Sequence, residues 1–383
     1  MANKIEEFSF EDLDVNSSNK DLAKHLADIA SYYALSRDTY RARTFSEAAK
    51  LISDYPFIIT SGAHAKETIP RIGPSLIEVI NSYLKTGTSK RLEELEAVHR
   101  ERKEVVDQFL QVYGIGQSLA NKYYDLGFRT ITDLWYEVPI SLAEQFNLVV
   151  ENLNDAALEL GVIEVVEELD EAQLIKLFYD VLRELAIKNK FKYPSLTSAQ
   201  RLGIEHITDL QLKIPREEIE SIELKLTTLL TGLDWVIAGS YRRGEMESGD
   251  IDILIKSKPG FSLQRIIDLL KNANLLIGDL AKGSNKYMGI LQNEPTSPAR
   301  RIDLLVVPVH SWAYAILYFT GSQRFNILSR QRAIELGLRL SEHGITDNQG
   351  KSYPAETEED IFSILGIEYL APEERTRNIP SLR

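Results

Sequence analysis

The chain of 383 residues contains no cysteine. Disulfide staples, thiolate zinc sites and a cysteine nucleophile are therefore excluded. Histidine is scarce: the six residues at 25, 64, 99, 206, 310 and 343 lie far apart and show no ligand spacing. Any metal is then expected to be held by oxygen, which favours magnesium or manganese. No apolar run approaches the roughly 18 residues of a membrane span, and the start MANKIEEFSFEDLD is acidic, unlike a signal peptide. The expectation is an intracellular protein with no membrane partner. Basic charge is also in deficit, with a net charge of −13, which argues at first against binding a phosphate backbone. Two stretches account for that deficit: residues 6–14 carry five acids and no base, and residues 151–171 carry eight acids and no base. The remainder is balanced, and its basic residues are free to cluster.

What is present describes a globular protein, 44% hydrophobic and 26% charged, long enough for two to four domains. Residues 20–34 and 40–54 read as amphipathic helices. Two similar segments follow, IPRIGPSLIEVINSYLKTG (69–87) and VYGIGQSLANKYYDLGF (112–128). Each has a short glycine-bearing turn, a polar residue suited to capping, then a helix. Such a repeat reads as a pair of helix-hairpin-helix motifs, whose turn amides hold a DNA phosphate. Gly114 and Gly116 form the second turn, and Arg71 stands in the first where a glycine is expected. Residues 135–193 form a separate piece, with Leu174, Leu177, Phe178, Val181, Leu182 and Leu185 as one core-facing stripe. From about 196 the composition changes, and after helix-like EEIESIELKLTTLL the pattern turns strand-rich, with WVIAG, DIDILI, YMGILQ and RIDLLVVP. The fold class expected is α+β and multidomain, an all-helical front and a mixed body behind it.

The chemistry concentrates in GSYRRGEMESGDIDILI (239–255). On a strand, Asp250 and Asp252 point one way while Ile251, Ile253 and Ile255 point the other. Asp303, in ARRIDLLVVP, stands in a second strand-like run with Ile302, Leu304 and Val306 opposite. Three strand-borne carboxylates converging on one spot suit two divalent cations roughly 3.5–4 Å apart, as in phosphoryl and nucleotidyl transfer. The competing reading is acids paired to Arg242, Arg243, Arg300 and Arg301, which lie close in sequence. The Gly239-Ser240 turn favours the metal reading: a small residue lets backbone approach a ligand, a hydroxyl donates to phosphate, and the arginine fork neutralises it. HGITDNQGKS (343–352) has one residue too many for a P-loop and no buried strand before it, so it reads as a turn.

With these motifs in order, the chain resembles the family X DNA polymerases of the DNA polymerase beta type. The resemblance runs from about residue 20 to the C-terminus, interrupted at 135–193. It rests on GSYRRGEMESGDIDILI, LAKGSNKYMG, ARRIDLLVVP, LYFTGSQRFNILSRQRA and ETEEDIFSILGIEYLAPEERT. It implies a helical lyase-like domain at 1–94 and a second helix-hairpin-helix subdomain at 95–215 with the extra acidic segment. A nucleotidyltransferase palm at 216–310 follows, then a small α+β C-terminal subdomain at 311–383 that binds the nascent base pair. It implies that Asp250 and Asp252 ligate two Mg2+ ions, with Mn2+ as a substitute, and that Asp303 ligates the catalytic ion near the primer 3′-hydroxyl. Ser240, Arg243, Gly249 and Lys213 would contact the triphosphate beside Gly239. Tyr318, Phe319 and Gly321 would flank the sugar, Asn326 and Arg330 the new base pair, and Arg301 and Lys282 the primer. The implied partners are gapped or nicked double-stranded DNA and a dNTP, with the chain a monomer.

Departures from the family pattern are equally specific. The Schiff-base lysine position is Val79 and a phosphate-binding lysine position is Ser75. An imine requires an amine, so 5′-deoxyribose-phosphate lyase activity is expected to be absent or feeble. Arg41, Arg71 and Arg91 are left as candidates to grip a 5′-phosphate. The expected function is gap-filling, template-directed DNA synthesis. The alternatives are a template-independent or other nucleotidyltransferase, and a non-catalytic scaffold at DNA ends.

Overall fold

The computed structural model describes residues 15–376 apart from 56, 165–168 and 261, together with residue 382. The acidic start at 6–14 lies outside the described residues. The chain divides into two bodies, Met1–Leu110 with Gly116–Lys192, and Gln111–Ile115 with Tyr193–Arg383.

In the first body, apolar residues at steps of three and four dictate helices that bury one face. Helix α1 (Val15–Leu35) buries Leu22, Leu26, Ile29 and Tyr33, and α2 (Thr39–Ser53) buries Phe45, Ala48, Ala49 and Ile52. Helices α3 (Gly62–Thr68) and α4 (Pro74–Thr86) add Ala65, Leu76, Val79 and Ile80 to the same core. Then come α5 (Lys90–Leu110), α6 (Gln117–Asp125), α7 (Ile131–Tyr136), α8 (Leu142–Gln145), α9 (Leu153–Glu159) and α10 (Glu171–Lys188). On α10, Leu177, Val181 and Leu182 are buried as the stripe predicts, while Leu174, Phe178 and Leu185 are half-buried. Tyr179 and Ala186 take core places the stripe leaves out, because the Tyr179 hydroxyl donates to the buried Asp133.

The two hairpin turns end in glycine rather than in the polar caps expected. Gly73 (φ −92°, ψ 174°) and Gly116 (φ −94°, ψ 174°) are the N-caps of α4 and α6, neither with a side-chain cap. A residue without a side chain has no oxygen to offer the first-turn amides. Arg71 adopts φ 66°, matching the left-handed φ 80° of Gly114 in the other copy. An L side chain is strained in that region, so the first turn keeps an arginine at a conformational cost.

In the second body, α11 (Ser198–Glu205) and α12 (Ile207–Gln211) precede β1 (Ile214–Pro215), α13 (Arg216–Leu229) and β2 (Trp235–Ile237). A single helical turn α14 (Gly239–Arg242) leads to β3 (Glu247–Ser248), β4 (Ile251–Lys256) and α15 (Leu263–Asn272). Strands β5 (Leu276–Lys282), β6 (Lys286–Leu291) and β7 (Arg300–Val307) complete a five-stranded sheet in the order β2-β4-β7-β6-β5. Only β4 and β7 run parallel. One face buries Ile251, Ile253, Ile255, Ile302 and Leu304 against Ile219, Ile222 and Leu226 of α13 and Ile266, Ile267 and Leu270 of α15.

Helix α16 (Trp312–Thr320) covers part of the other face, setting Ala315 on Ala238, Leu254 and Val307. Leu254 is therefore buried although it shares the face of the acids. Then follow α17 (Gln323–Glu335), β8 (Leu338–Ser341), β9 (Gly344–Asp347), β10 (Ser352–Tyr353) and α18 (Glu358–Leu365), the three strands forming an antiparallel sheet. The DNQGKS stretch is the β9–β10 turn, in which Asp347 Oδ1 accepts from the amides of Gln349 and Lys351. Among the described residues, no helix is long and apolar enough to cross a membrane.

Candidate active site

Parallel pairing of β4 with β7 sets Asp252 directly opposite Asp303. Asp250 immediately precedes β4, two residues before Asp252 and close enough for its charge to act on that carboxyl. Isoleucines and leucines on the alternate positions fix the register, since a slip of one residue would turn the acids into the core. The α14 turn lies over Asp252. The Ala238 amide donates to the Asp252 carbonyl at 2.8 Å, and a Cβ on Gly239 would stand 2.5 Å from Asp252 Oδ2. With φ 60° as well, only glycine fits there.

Crowding three carboxylates has an electrostatic consequence. Burial, reinforced by the charges of Asp250 and Asp303, pushes the Asp252 carboxyl up to about 7. Two basic side chains partly compensate. Arg301 donates to Asp250 Oδ2, and Lys286 Nζ lies 3.0 Å from Asp303 Oδ2. Among the described residues, Asp303 Oδ1 is buried with no hydrogen-bond partner. Among the described residues no three His, Cys, Asp or Glu side chains are drawn together as a metal cage; Arg301 and Lys286 hold two of the acids instead. The donor set itself fits a hard divalent cation: it is all oxygen, its charges repel one another, and one buried oxygen is unsatisfied.

Of the four arginines named as competitors for the acids, Arg301 is engaged with Asp250. Arg300 forms a bidentate pair with Glu218, at 2.8 and 2.7 Å. Arg242 pairs with Glu358 at 2.6 Å and donates to Thr320 Oγ1 at 2.7 Å. Arg375, fully buried, donates to the same Glu358 and lies against the rings of Phe325, Phe362 and Tyr369. Arg243 donates to the Thr320 carbonyl at 2.6 Å. These ties anchor α14 to the C-terminal helices, a function the sequence did not reveal because Glu358 and Arg375 lie more than a hundred residues away.

The remaining site residues of this body are placed as follows. Ser240 Oγ donates to Ser248 Oγ at 2.9 Å, and a Cβ on Gly249 would stand 3.7 Å from Lys213 Nζ. The rings of Tyr318 and Phe319 are perpendicular, 5.1 Å between centroids. Asn326 Nδ2 donates to the Tyr318 carbonyl at 2.8 Å, and the Arg330 guanidinium lies 4.9 Å from the Tyr318 ring. Gly321, at φ 63°, stands where a Cβ would be 3.6 Å from Arg243 Nη1. Lys282, exposed on β5, pairs with Gln264. Gly114 offers its carbonyl to Gln200 Nε2 at 2.9 Å. Gly116, Arg41 and Arg71 belong to the first body, where Arg41 stacks over Tyr33 and Arg71 pairs with Glu47 at 3.1 Å.

A mixed sheet with acids on neighbouring parallel strands, beneath a glycine-serine helical turn, defines a palm of the nucleotidyltransferase class. The family model described as DNA polymerase beta palm matches residues 213–309, and that of the DNA polymerase beta thumb matches 315–376. A helix-hairpin-helix domain model matches 17–89, and the fingers domain of DNA polymerase lambda matches 107–152. The chain is 27% identical over 382 residues to DNA polymerase lambda of Rattus norvegicus, covering 93% of this chain and 56% of that protein. It is 27% identical over 386 residues to DNA polymerase lambda of Arabidopsis thaliana, covering 93% and 62%. The chain belongs to the family X DNA polymerases. It spans about three fifths of the length of these relatives. The likeness also runs on past residue 135, so the interruption expected at 135–193 does not begin there.

Proposed function

We propose that the chain is a template-directed DNA polymerase that fills short gaps, joining a dNTP to a primer 3′-hydroxyl with release of pyrophosphate. The observation that carries this reading is the register of Asp252 with Asp303, with Asp250 beside them and the Gly239-Ser240 turn above. Asp250, Asp252 and Asp303 would hold two Mg2+ ions, which supply positive charge at the α-phosphate and lower the barrier to deprotonating the primer hydroxyl. The chain's own groups do the rest. The Gly239 backbone admits the triphosphate closely, the Ser240 hydroxyl donates to it, and Arg243 and Lys213 neutralise it beside Gly249. Asp303 takes up the 3′-hydroxyl proton at its carboxylate. Tyr318, Phe319 and Gly321 confine the sugar, Asn326 and Arg330 face the new base pair, and Arg301 and Lys282 attend the primer. Gly114 and Gly116, with Arg41 and Arg71, bind the DNA backbone. The likeness to DNA polymerase lambda supports templated synthesis over a template-independent transferase.

The test is a primed duplex with a one-nucleotide gap, one labelled complementary dNTP and Mg2+. Extension is expected in the wild type and not in Asp303→Asn; equal extension by both removes the reading. Lyase activity is not expected. Val79 is buried in the first body's core at 3% exposure, where a carbon side chain forms no imine. Borohydride trapping on an incised abasic duplex is expected to yield no adduct.

A further inference from the structure

Lys286 lies in the LAKGSNKYMG stretch and touches the acid site directly. Strand β6 pairs antiparallel with β7, setting Met288 opposite Asp303 and Lys286 opposite Leu305. Lys286 is thus two positions along the strand on the same face, where a long side chain reaches a diagonal neighbour. Its ammonium lies 3.0 Å from Asp303 Oδ2, and the lysine side chain is 42% exposed while Asp303 is 15% exposed. The other oxygen, Asp303 Oδ1, is buried without a hydrogen-bond partner among the described residues. Arg301 stands in the same relation to Asp250 but differs in kind. A guanidinium is a rigid fork, whereas an ammonium is a compact charge on a flexible stem. Lys286 therefore has both the charge that Asp303 lacks and an open route away from it.

We propose that Lys286 is a built-in counter-ion of Asp303, a positioning residue that holds this carboxylate until a divalent cation arrives and then yields its place. The proposal rests on the reading of the three aspartates as a metal site. An ammonium and a divalent cation repel each other strongly at contact distance, so occupancy of Asp303 by one opposes the other. Lys286 thereby weakens metal binding to the free protein and makes it dependent on what else is bound. A neutral side chain of similar length removes the competition without opening a cavity.

The experiment is direct Mn2+ binding to the DNA-free protein, followed by the loss of the free-ion paramagnetic resonance signal. Lys286→Met is expected to bind Mn2+ about 3- to 10-fold more tightly than wild type. Lys286→Arg, which keeps the charge, is expected to stay within about twofold. In extension assays the metal requirement of Lys286→Met shifts to lower concentration by a similar factor, and the maximal rate moves less. Unchanged or weaker Mn2+ binding by Lys286→Met, with wild-type circular dichroism, overturns the proposal, as does equal tightening by Lys286→Arg. Asp303→Asn separates the two claims. If it abolishes Mn2+ binding while Lys286→Met changes nothing, the metal site stands and the counter-ion role fails; if it leaves Mn2+ binding intact, the metal reading itself fails.

Discussion

Asp133 in the first body and Asp252 and Asp303 of the palm are largely withdrawn from water, and they are treated in opposite ways. Asp133 is fully buried, and each of its oxygens accepts two hydrogen bonds. Oδ1 accepts from the Tyr179 hydroxyl at 2.6 Å and the Ile140 amide at 3.3 Å. Oδ2 accepts from the amides of Arg129 at 2.7 Å and Thr130 at 3.1 Å. Neutral donors complete that carboxylate, and it ties α7 to α10. In the palm, Asp252 lies against two like charges and Asp303 keeps a buried oxygen without a partner. A carboxylate with every lone pair satisfied holds structure together, while carboxylates left incomplete await something with charge. The comparison separates acids that stabilise the fold from acids that are maintained against it.

The largest effect expected from breaking that comparison is at Asp252. Its folded carboxyl titrates near 7 against 3.8 when exposed, so the folded state binds more protons between those values. Stability is then greatest below 3.8 in this contribution and is lost as pH rises through about 7. Asp252→Asn removes the penalty: at pH 8 with chelator it is expected to melt higher than wild type and to lose that part of the pH dependence. Gap extension by the same variant is expected to fall by about 10²–10³-fold or more, on the scale of deleting one preorganised electrostatic group. A lower melting temperature with retained extension contradicts the account. Next in size is Asp133→Ala, which strands four donors in the interior. A loss of about 3 kcal/mol is expected from urea unfolding of the first body, with palm chemistry per folded molecule retained. Asp133→Ala melting like wild type means the carboxylate has no structural role.

A smaller test compares the two hairpin turns. Arg71→Gly relieves a left-handed arginine and is expected to stabilise the first body by about 1 kcal/mol, offset only slightly by the exposed pair with Glu47. Affinity for gapped DNA is expected to drop with it if the guanidinium contacts the DNA backbone as proposed. Tighter DNA binding by Arg71→Gly would show that the arginine is not a phosphate contact.

These contrasts also show which parts of the molecule were legible beforehand. Strand alternation around Asp250, Asp252 and Asp303 needs only a period of two, so the acid face could be read from residues 250–255 and 300–307 alone. Helical spacing likewise exposes α1, α2 and most of α10. Partners distant in sequence could not be read. Tyr179 meets Asp133 across 46 residues, Glu358 meets Arg242 across 116, and Lys286 meets Asp303 only through the pairing of β6 with β7. Nothing local marks them, because a buried ion pair and a solvated charge look alike in sequence. The glycine caps were missed for a different reason: a polar residue near a turn is the commoner cap, and it hid the extended glycine before it.

The central claim, that the three palm aspartates gather around divalent cations, is met most directly by anomalous diffraction from crystals soaked in Mn2+. The account predicts anomalous density bonded to Asp250, Asp252 and Asp303, with Arg301 and Lys286 moved off their present partners. Density absent there, or bound elsewhere with the Lys286–Asp303 pair intact, would contradict it.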